Sequence, residues 1–312
     1  MSRSVNAMPP ATSGPHSQEK TVTSSRPLAG ILPAVPTPVD AGGAPDVGRF
    51  LVHARWALAQ GCHGLNVLGT TGEANCLSTG QRKAVMEAAA TALDGTPLMV
   101  GTGTPDLSTT IELTRHACAL GYAGALVLPP WYYKNVSDDG LFAWYERLIA
   151  GTADAPIPLY FYNFPHMTGV PLSLQLMGRL KAAFPRRIAG VKDSSGDFAL
   201  SAALVDIGDF DVFPGNEMAL SAQGAPRYAG CISATVNVTA PLAVRFWANR
   251  DDARLRRRID ETRTALSAFP FVPAVKYLLS RIHDDPEFER VLVPHLPLDA
   301  GRKARLDELR LD

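Results

Sequence analysis

The chain has 312 residues, of which 46% are hydrophobic, so it is long enough to bury a full core. Its 30 Lys and Arg residues balance 30 Asp and Glu residues, which argues against nucleic acid or an anionic membrane as a partner. No apolar run reaches the ~20 residues that a membrane-spanning helix needs. We therefore predict a cytoplasmic protein that acts on a small molecule.

Residues 1–27 are rich in Ser, Thr and Pro and lack the apolar stretch of a secretory signal, which predicts a disordered leader. The four cysteines further along the chain are scattered without a C-x-x-C pair. This distribution favours reduced thiols over a disulfide framework or a structural zinc site.

From Gly30 onward, short apolar or β-branched runs alternate with helix-length amphipathic segments, which is typical of a parallel sheet with crossover helices. The predicted strands are Gly30–Pro36, His63–Leu68, Pro97–Gly101, Gly124–Leu128, Pro158–Tyr162, Ile188–Lys192, Asp211–Phe213 and Gly230–Thr235. The predicted helices are Val47–Gln60, Gln81–Leu93, Thr109–Leu120, Asp139–Ala150, Leu172–Phe184, Ala199–Ile207, Met218–Ala225 and Ala240–Ala248.

Eight strands and eight helices predict an α/β fold, a (β/α)₈ TIM barrel, over residues 28–250. A doubly wound open sheet shows the same alternation and is the alternative fold. Residues 251–312 contain three more helical patterns and no convincing strand, which predicts a C-terminal helical extension packed on the barrel. Helix-end signals support the count, because Ser78–Gln81 is a capping-box sequence and Gly61 and Gly121 stand where helices should end.

Barrel enzymes carry their reacting groups at the carboxyl ends of the strands and in the loops that follow. The sixth predicted strand ends in Lys192, directly after the apolar run Ile188–Val191. Burial at this position disfavours the charged ammonium and leaves an amine that attacks a ketone carbonyl. Taken alone, a lysine at a strand end more often reaches out to solvent, so the neighbouring loops have to decide between the two interpretations.

Those loops supply hydroxyl groups. Tyr162 ends the strand before that of Lys192, which suits its phenol to moving protons during imine formation. Thr70 and Thr71 stand between two glycines, in a turn whose amides and hydroxyls suit a carboxylate. The ordinary alternatives are a core aromatic residue and a plain turn. The seven histidines show no paired ligand spacing, which argues against a metal site.

Three motifs carry a family resemblance: Gly69–Glu73 (GTTGE), Tyr162–Pro165 (YNFP) and Gly190–Gly196 (GVKDSSG). In this order, and each at a predicted strand end, they resemble the dihydrodipicolinate synthase and N-acetylneuraminate lyase family of class I aldolases. The resemblance runs from about Leu28 to the C-terminal helices. It implies a Schiff-base lyase for pyruvate or a 2-keto(-3-deoxy) acid that needs no cofactor or metal and assembles as a homotetramer.

The resemblance also implies roles for catalytic residues. Lys192 would form the imine with the substrate, and Tyr162 would act as its acid/base. Thr70 would link Tyr162 to Tyr133 in a proton relay, with the tyrosine that matches Tyr133 entering the neighbouring subunit's site.

Substrate-binding roles are implied as well. Thr71 would hold the carboxylate of the keto acid, and the carbonyl of Ile232 would face its methyl group. The other expected substrate contacts are His166, Met167, Asn216 and Glu217.

One position departs from the lysine-biosynthetic member of the family. Met167 stands where 4-hydroxy-tetrahydrodipicolinate synthase carries an arginine for its second substrate, and a thioether makes no bidentate carboxylate contact. This disfavours the synthase reaction and favours retro-aldol cleavage, aldol condensation or dehydration of another keto acid. A non-catalytic, keto-acid-binding regulatory barrel is the alternative of a different class, because a fold does not guarantee chemistry.

Overall fold

The computed structural model describes residues 28–221 and 227–309, so the predicted leader lies outside the described residues. Eight parallel strands form its centre. They are β1 (Gly30–Pro33), β2 (Leu65–Val67), β3 (Leu98–Gly101), β4 (Gly124–Val127), β5 (Leu159–Asn163), β6 (Ile188–Asp193), β7 (Asp211–Pro214) and β8 (Gly230–Ser233).

The strands form a closed ring in sequence order. Strands β2 to β7 pair in succession, and β1 pairs with β8. Hydrogen bonds join these groups at both junctions. The amide of Val35 donates to the carbonyl of Asn66 at 3.0 Å, and the amide of Ala229 donates to the carbonyl of Val212 at 3.0 Å. The (β/α)₈ barrel is thus confirmed, and the open sheet is excluded.

Helices follow the strands around the ring and continue into the extension. They are α1 (Val47–Ala59), α2 (Thr79–Ala92), α3 (Leu107–Ala119), α4 (Asp138–Gly151), α5 (Pro165–Thr168), α6 (Leu174–Ala183), α7 (Phe198–Leu204), α8 (Met218–Ser221), α9 (Val236–Ala248), α10 (Ala253–Ser267), α11 (Phe271–Ile282) and α12 (Ala300–Asp307). The predicted capping box is present at α2, where the Ser78 hydroxyl accepts from the Gln81 amide at 3.3 Å. Gly61 and Gly121 follow α1 and α3 with φ of +94° and +77°.

Several boundaries differ from the prediction. Strand β1 ends before Pro36, because a proline has no N–H group to donate to a neighbouring strand. Strand β8 ends before Thr235, because the chain turns into α9 after Ser233. Helix α9 begins at Val236, four residues early, and Thr239 breaks its helical angles two residues before Pro241. Helix α5 was not predicted, since four residues are too short for a helical period. Residues 222–225 of the predicted seventh-strand helix lie outside the described residues.

The strands alternate their side chains between two cores. Leu32, Tyr160 and Ile232 point into the barrel, whereas Ile31 and Leu65 pack under the surrounding helices. Tyr162 belongs to the inner set, so its phenol stands at the carboxyl-terminal mouth of the barrel.

The C-terminal extension consists of α10, α11 and α12 around a core of its own that includes Leu266, Tyr277 and Phe288. Helix α11 packs on α9, and α10 packs on both α8 and α9, so the extension lies beside the last barrel strands. In the described part of the chain, no helix combines the length and the apolar character needed to cross a membrane.

Candidate active site

Lys192 and Tyr162 form the centre of the site. They are direct neighbours in the register of β5 and β6, which places both side chains on the inner face. The Lys192 ammonium donates to the Tyr162 hydroxyl at 3.3 Å and lies 4.4 Å from the ring centroid. Each residue is 4% exposed, which excludes the alternative that Lys192 reaches out to solvent.

Thr70 extends this pair into a chain of three polar groups. Its hydroxyl lies 3.2 Å from the Tyr162 hydroxyl, and either group is able to donate. The Phe164 ring stacks on Tyr162, with centroids 5.6 Å apart and an interplanar angle of 30°, and so fixes the orientation of the phenol. A proton is able to move along this chain between Lys192 and the loop after β2.

The turn that carries Thr71 is braced from behind. Gly72 and Glu73 donate their amides to the carbonyls of Gly69 and Thr70 at 3.1 and 3.0 Å. Within residues 28–221 and 227–309, neither the amide nor the hydroxyl of Thr71 has a hydrogen-bond partner. Because Thr71 lines the cavity described below, these donors are available to an anion.

Glu73 holds this turn to the extension. Its backbone is left-handed, with φ of +52°, and its carboxylate forms a buried ion pair with Lys276. The second carboxylate oxygen accepts from the Leu292 amide at 2.6 Å, and Lys276 also donates to the Arg290 carbonyl at 2.8 Å. Burial lowers the pKa of Lys276, although the carboxylate of Glu73 opposes this shift.

A cavity of about 520 Å³ opens above the lysine. Most of the predicted site residues line it. They are Lys192, Tyr162, Thr70, Thr71, Ile232, His166, Met167 and Asn216. Met167 lies at the rim with 65% of its surface exposed, and the His166 ring contacts the Ser195 carbonyl at 2.9 Å.

Tyr133 does not reach the site within one chain. It is 74% exposed, and its ring contacts that of Tyr132 edge to face, with centroids 5.2 Å apart. The structure of a single chain therefore does not bring Tyr133 to Thr70.

Glu217 also differs from the expectation of direct substrate contact, because its side chain lies behind the cavity wall. It is 2% exposed and turns toward the hydroxyls at the end of β8. It accepts from the Ser233 hydroxyl at 2.8 Å and from the Thr235 hydroxyl. The Arg263 guanidinium lies 3.6 Å away. Hydrogen bonding and an opposite charge inside the wall explain this orientation.

Sequence patterns gave no signal for the residues that the extension contributes. Arg263, Phe271 and His295 line the cavity from α10, α11 and the segment before α12. They lie far from the strand ends in sequence, and Arg263 belongs to a helix with four other arginines. Asp193 was missed too: it is buried and accepts from the Asn163 amide at 2.9 Å, which fixes the loop after β6.

The thiol nearest the site does not compete with the lysine as a nucleophile. Cys231 precedes Ile232 and is fully buried, and burial raises its pKa well above the usual value. The thiolate form is therefore scarce at neutral pH. No group of three His, Cys, Asp or Glu side chains suited to a metal ion occurs in the described residues.

A barrel with a buried strand-end lysine and a phenol on the adjacent strand is the arrangement of lyases and synthases of the class I aldolase type. The model of the Dihydrodipicolinate synthetase family matches residues 27–309. The chain belongs to this family.

Relatives in the same family carry both lyase and synthase names. An uncharacterized DapA-like lyase of Chloroflexus aurantiacus is 32% identical over 89% of this chain and 94% of its own length. A 4-hydroxy-tetrahydrodipicolinate synthase of Rhizobium meliloti is 32% identical over 81% of this chain and 87% of its own.

Solved structures agree with the fold. YagE, a prophage protein of the dihydrodipicolinic acid synthase family from E. coli K12 solved with pyruvate, is 28% identical with a TM-score of 0.81, over 89% of this chain and 96% of its own. An N-acetylneuraminate lyase from Proteus mirabilis is 26% identical with a TM-score of 0.81, over 90% and 97% of the two chains. The resemblance drawn from the three motifs is confirmed.

Proposed function

We propose that the chain is a Schiff-base lyase that cleaves, condenses or dehydrates a 2-keto acid through an imine at Lys192. The carrying observation is the buried contact of 3.3 Å between the Lys192 amine and the Tyr162 hydroxyl at the base of the cavity. The family and the pyruvate complex of YagE support this chemistry. The substrate carbonyl is the electrophile, and no external cofactor is needed.

The first half of the reaction is imine formation. The unprotonated Lys192 amine attacks the keto carbon, and Tyr162 gives a proton to the carbonyl oxygen, which yields a carbinolamine. Tyr162 then helps this hydroxyl to leave as water, so that a protonated imine remains. Thr70 returns protons to the phenol through the contact of 3.2 Å.

The second half uses the imine as an electron sink. In cleavage, the C4 hydroxyl loses its proton, the C3–C4 bond breaks, and its electron pair moves into the imine, which gives an enamine and an aldehyde. Protonation at C3 and hydrolysis release pyruvate. In dehydration, a proton leaves C3 and the neighbouring hydroxyl departs as water.

Thr71 and Ile232 hold the keto acid in this scheme. The free amide and hydroxyl of Thr71 bind its carboxylate, whose charge matches the donors of the turn. The carbonyl of Ile232 faces C3 of the substrate.

Tyr133 belongs to the neighbouring subunit's site in this proposal, and its 74% exposure in one chain leaves it available for that role. The assembly would be a homotetramer built as a dimer of dimers. We expect Tyr133→Phe and Lys192→Ala to be inactive separately and to recover partial activity when mixed and reassociated. Mixed assemblies without recovered activity would show that Tyr133 does not act across subunits.

The synthase reaction is a second candidate, because the Rhizobium meliloti relative bears that name. Met167 opposes it, since the thioether at the rim offers no charge to a second carboxylate. Turnover of pyruvate with aspartate semialdehyde at ~1 s⁻¹ or faster, in the range of ordinary enzymes, would favour the synthase instead.

Trapping with pyruvate and borohydride tests the proposal. Intact mass spectrometry should show addition of pyruvic acid less one oxygen atom, located at Lys192 by peptide mapping. Lys192→Ala should show none. If the native chain binds pyruvate but forms no adduct, the non-catalytic regulatory barrel replaces this proposal.

A further inference from the structure

The C-terminal extension places a guanidinium in the wall of the cavity that holds Lys192. Arg263 lies on α10 and lines this cavity with a side chain that is 15% exposed. It takes no part in the imine chemistry, so its presence there calls for another role.

Only part of the guanidinium is used by the protein. Its Nη1 donates to the Thr235 hydroxyl at 3.0 Å and to the Ser233 hydroxyl at 3.4 Å, and its Cζ lies 4.7 Å above the Phe271 ring. Within the described ranges, Nε is buried and therefore closed to a ligand, whereas Nη2 has no partner and is not among the buried atoms. Arginine carries five N–H donors, and unpaired donors in an interior are unfavourable. The guanidinium therefore keeps donor capacity for a ligand.

The charges around the cavity favour an acidic ligand. Besides Arg263 and the phenol of Tyr162, the ionisable residues lining the cavity are Lys192, Asp193, His166 and His295. Asp193, the acidic member, is already bonded by the Asn163 amide and two serine hydroxyls. The carboxylate of Glu217 offsets Arg263 only from behind the wall. A carboxylate on the ligand would meet donors here, not acceptors.

We propose that Arg263 binds a second acidic group of the substrate, so that the preferred substrate is a 2-keto acid with a carboxylate at its far end. This rests on the proposed imine at Lys192. Lys192 and Arg263 line the same cavity, so a keto acid held at the lysine would present its far end within that cavity.

Matched pairs of keto acids test the proposal without knowledge of the aldehyde. The probes are 2-oxoadipate and 2-oxoglutarate, compared with 2-oxohexanoate and 2-oxopentanoate, which end in methyl groups. The concentration for half-maximal borohydride trapping at Lys192 is measured for each. We expect the native chain to favour 2-oxoadipate over 2-oxohexanoate by about 30-fold, the usual size of a hydrogen bond to a charged group.

Two variants assign the preference to Arg263. Arg263→Met should bring the ratio between 2-oxoadipate and 2-oxohexanoate close to one. Because this change leaves Glu217 buried without its cation, the double variant Glu217→Gln/Arg263→Met provides a second test with balanced charge. The control is Arg257→Met on the same helix, whose side chain is 81% exposed and should keep the native ratio.

The possible results are distinct. Trapping of pyruvate without a preference for the diacids, or a preference that survives in both Arg263 variants, would overturn the role of Arg263 and leave the imine proposal intact. Absence of any pyruvate adduct in the native chain would instead refute the imine and with it the basis of this inference.

Discussion

Two buried carboxylates in the strand-end loops each meet a cation from the C-terminal extension, but the two pairs use their hydrogen-bonding groups differently. Glu73 and Lys276 are completely enclosed, and both are bonded further, to the Leu292 amide and the Arg290 carbonyl. In the pair of Glu217 and Arg263, the carboxylate is enclosed and the guanidinium lines the cavity with donors to spare.

This difference separates a structural link from a binding group. A cation that is enclosed by the protein and bonded only within it stabilises the fold and offers nothing to a ligand. A cation that retains a donor beside a cavity contributes less to the fold and is suited to recognition. Enclosure of the cation versus access to the cavity therefore predicts which variants lose stability and which lose selectivity.

The largest loss of stability is expected for Lys276→Met. It leaves the carboxylate of Glu73 buried without a cation, which should lower the free energy of unfolding by about 4 kcal/mol. Urea unfolding measures this change. The double variant Glu73→Gln/Lys276→Met should recover most of the loss, and a double variant as unstable as the single one would contradict the argument.

A third link between barrel and extension is uncharged, and acid should weaken it. His53 is buried, contacts Asn237 at 2.9 Å and His283 at 3.1 Å, and burial lowers its pKa to about 4. Since the unfolded chain binds this proton from about pH 6.5 downward, stability should fall by about 3 kcal/mol between pH 6.5 and 4. His53→Asn should remove this part of the pH dependence in unfolding titrations. If the pH dependence of the unfolding free energy is unchanged in His53→Asn, another group binds the proton.

Arg263→Met should destabilise less than Lys276→Met, by about 2 kcal/mol. The hydroxyls of Ser233 and Thr235 remain to donate to Glu217, so its oxygens stay hydrogen-bonded. Chemical unfolding of the two single variants in the same buffer compares them directly. If the two variants lose the same unfolding free energy, Arg263 contributes as much to the stability of the fold as Lys276 does.

The smallest loss of stability is expected for the surface ion pair between Arg49 on α1 and Asp285. Arg49 donates to Asp285 at 2.7 Å, but both side chains are 30% exposed, and water screens such pairs. Arg49→Met should shift the urea midpoint by no more than the scatter between replicates. A shift of the urea midpoint comparable to that of Lys276→Met would show that the exposure of an ion pair does not predict how much the pair stabilises the fold.

The sequence was sufficient for the barrel and for the centre of the site, because both depend on local patterns. The apolar run Ile188–Val191 left two interpretations of Lys192 open, and the motifs in the neighbouring strand-end loops decided for burial. The strand order predicted Tyr162 beside it. Boundaries were less certain where prolines act on neighbouring turns, as Pro241 does in α9.

The opposite wall of the cavity could not be predicted, because it depends on how a distant helix docks. Arg263 lies in α10 among other arginines, and only the packing of this helix beside β8 distinguishes it from Arg257. Glu217 follows the last residues of β7, which suggested direct contact with substrate. The hydroxyls of Ser233 and Thr235, unseen from local sequence, turn it away.

The bracing of the turn at Thr71 has a consequence for ligand capture. Lys276 and the Leu292 amide hold Glu73, so the turn at Thr71 is ordered by contacts that lie behind it. The conformational entropy of ordering this turn is therefore lost once, when the protein folds, and not at each binding event. If the turn binds the keto acid as proposed, the ligand's own orientation is the main degree of freedom left to lose.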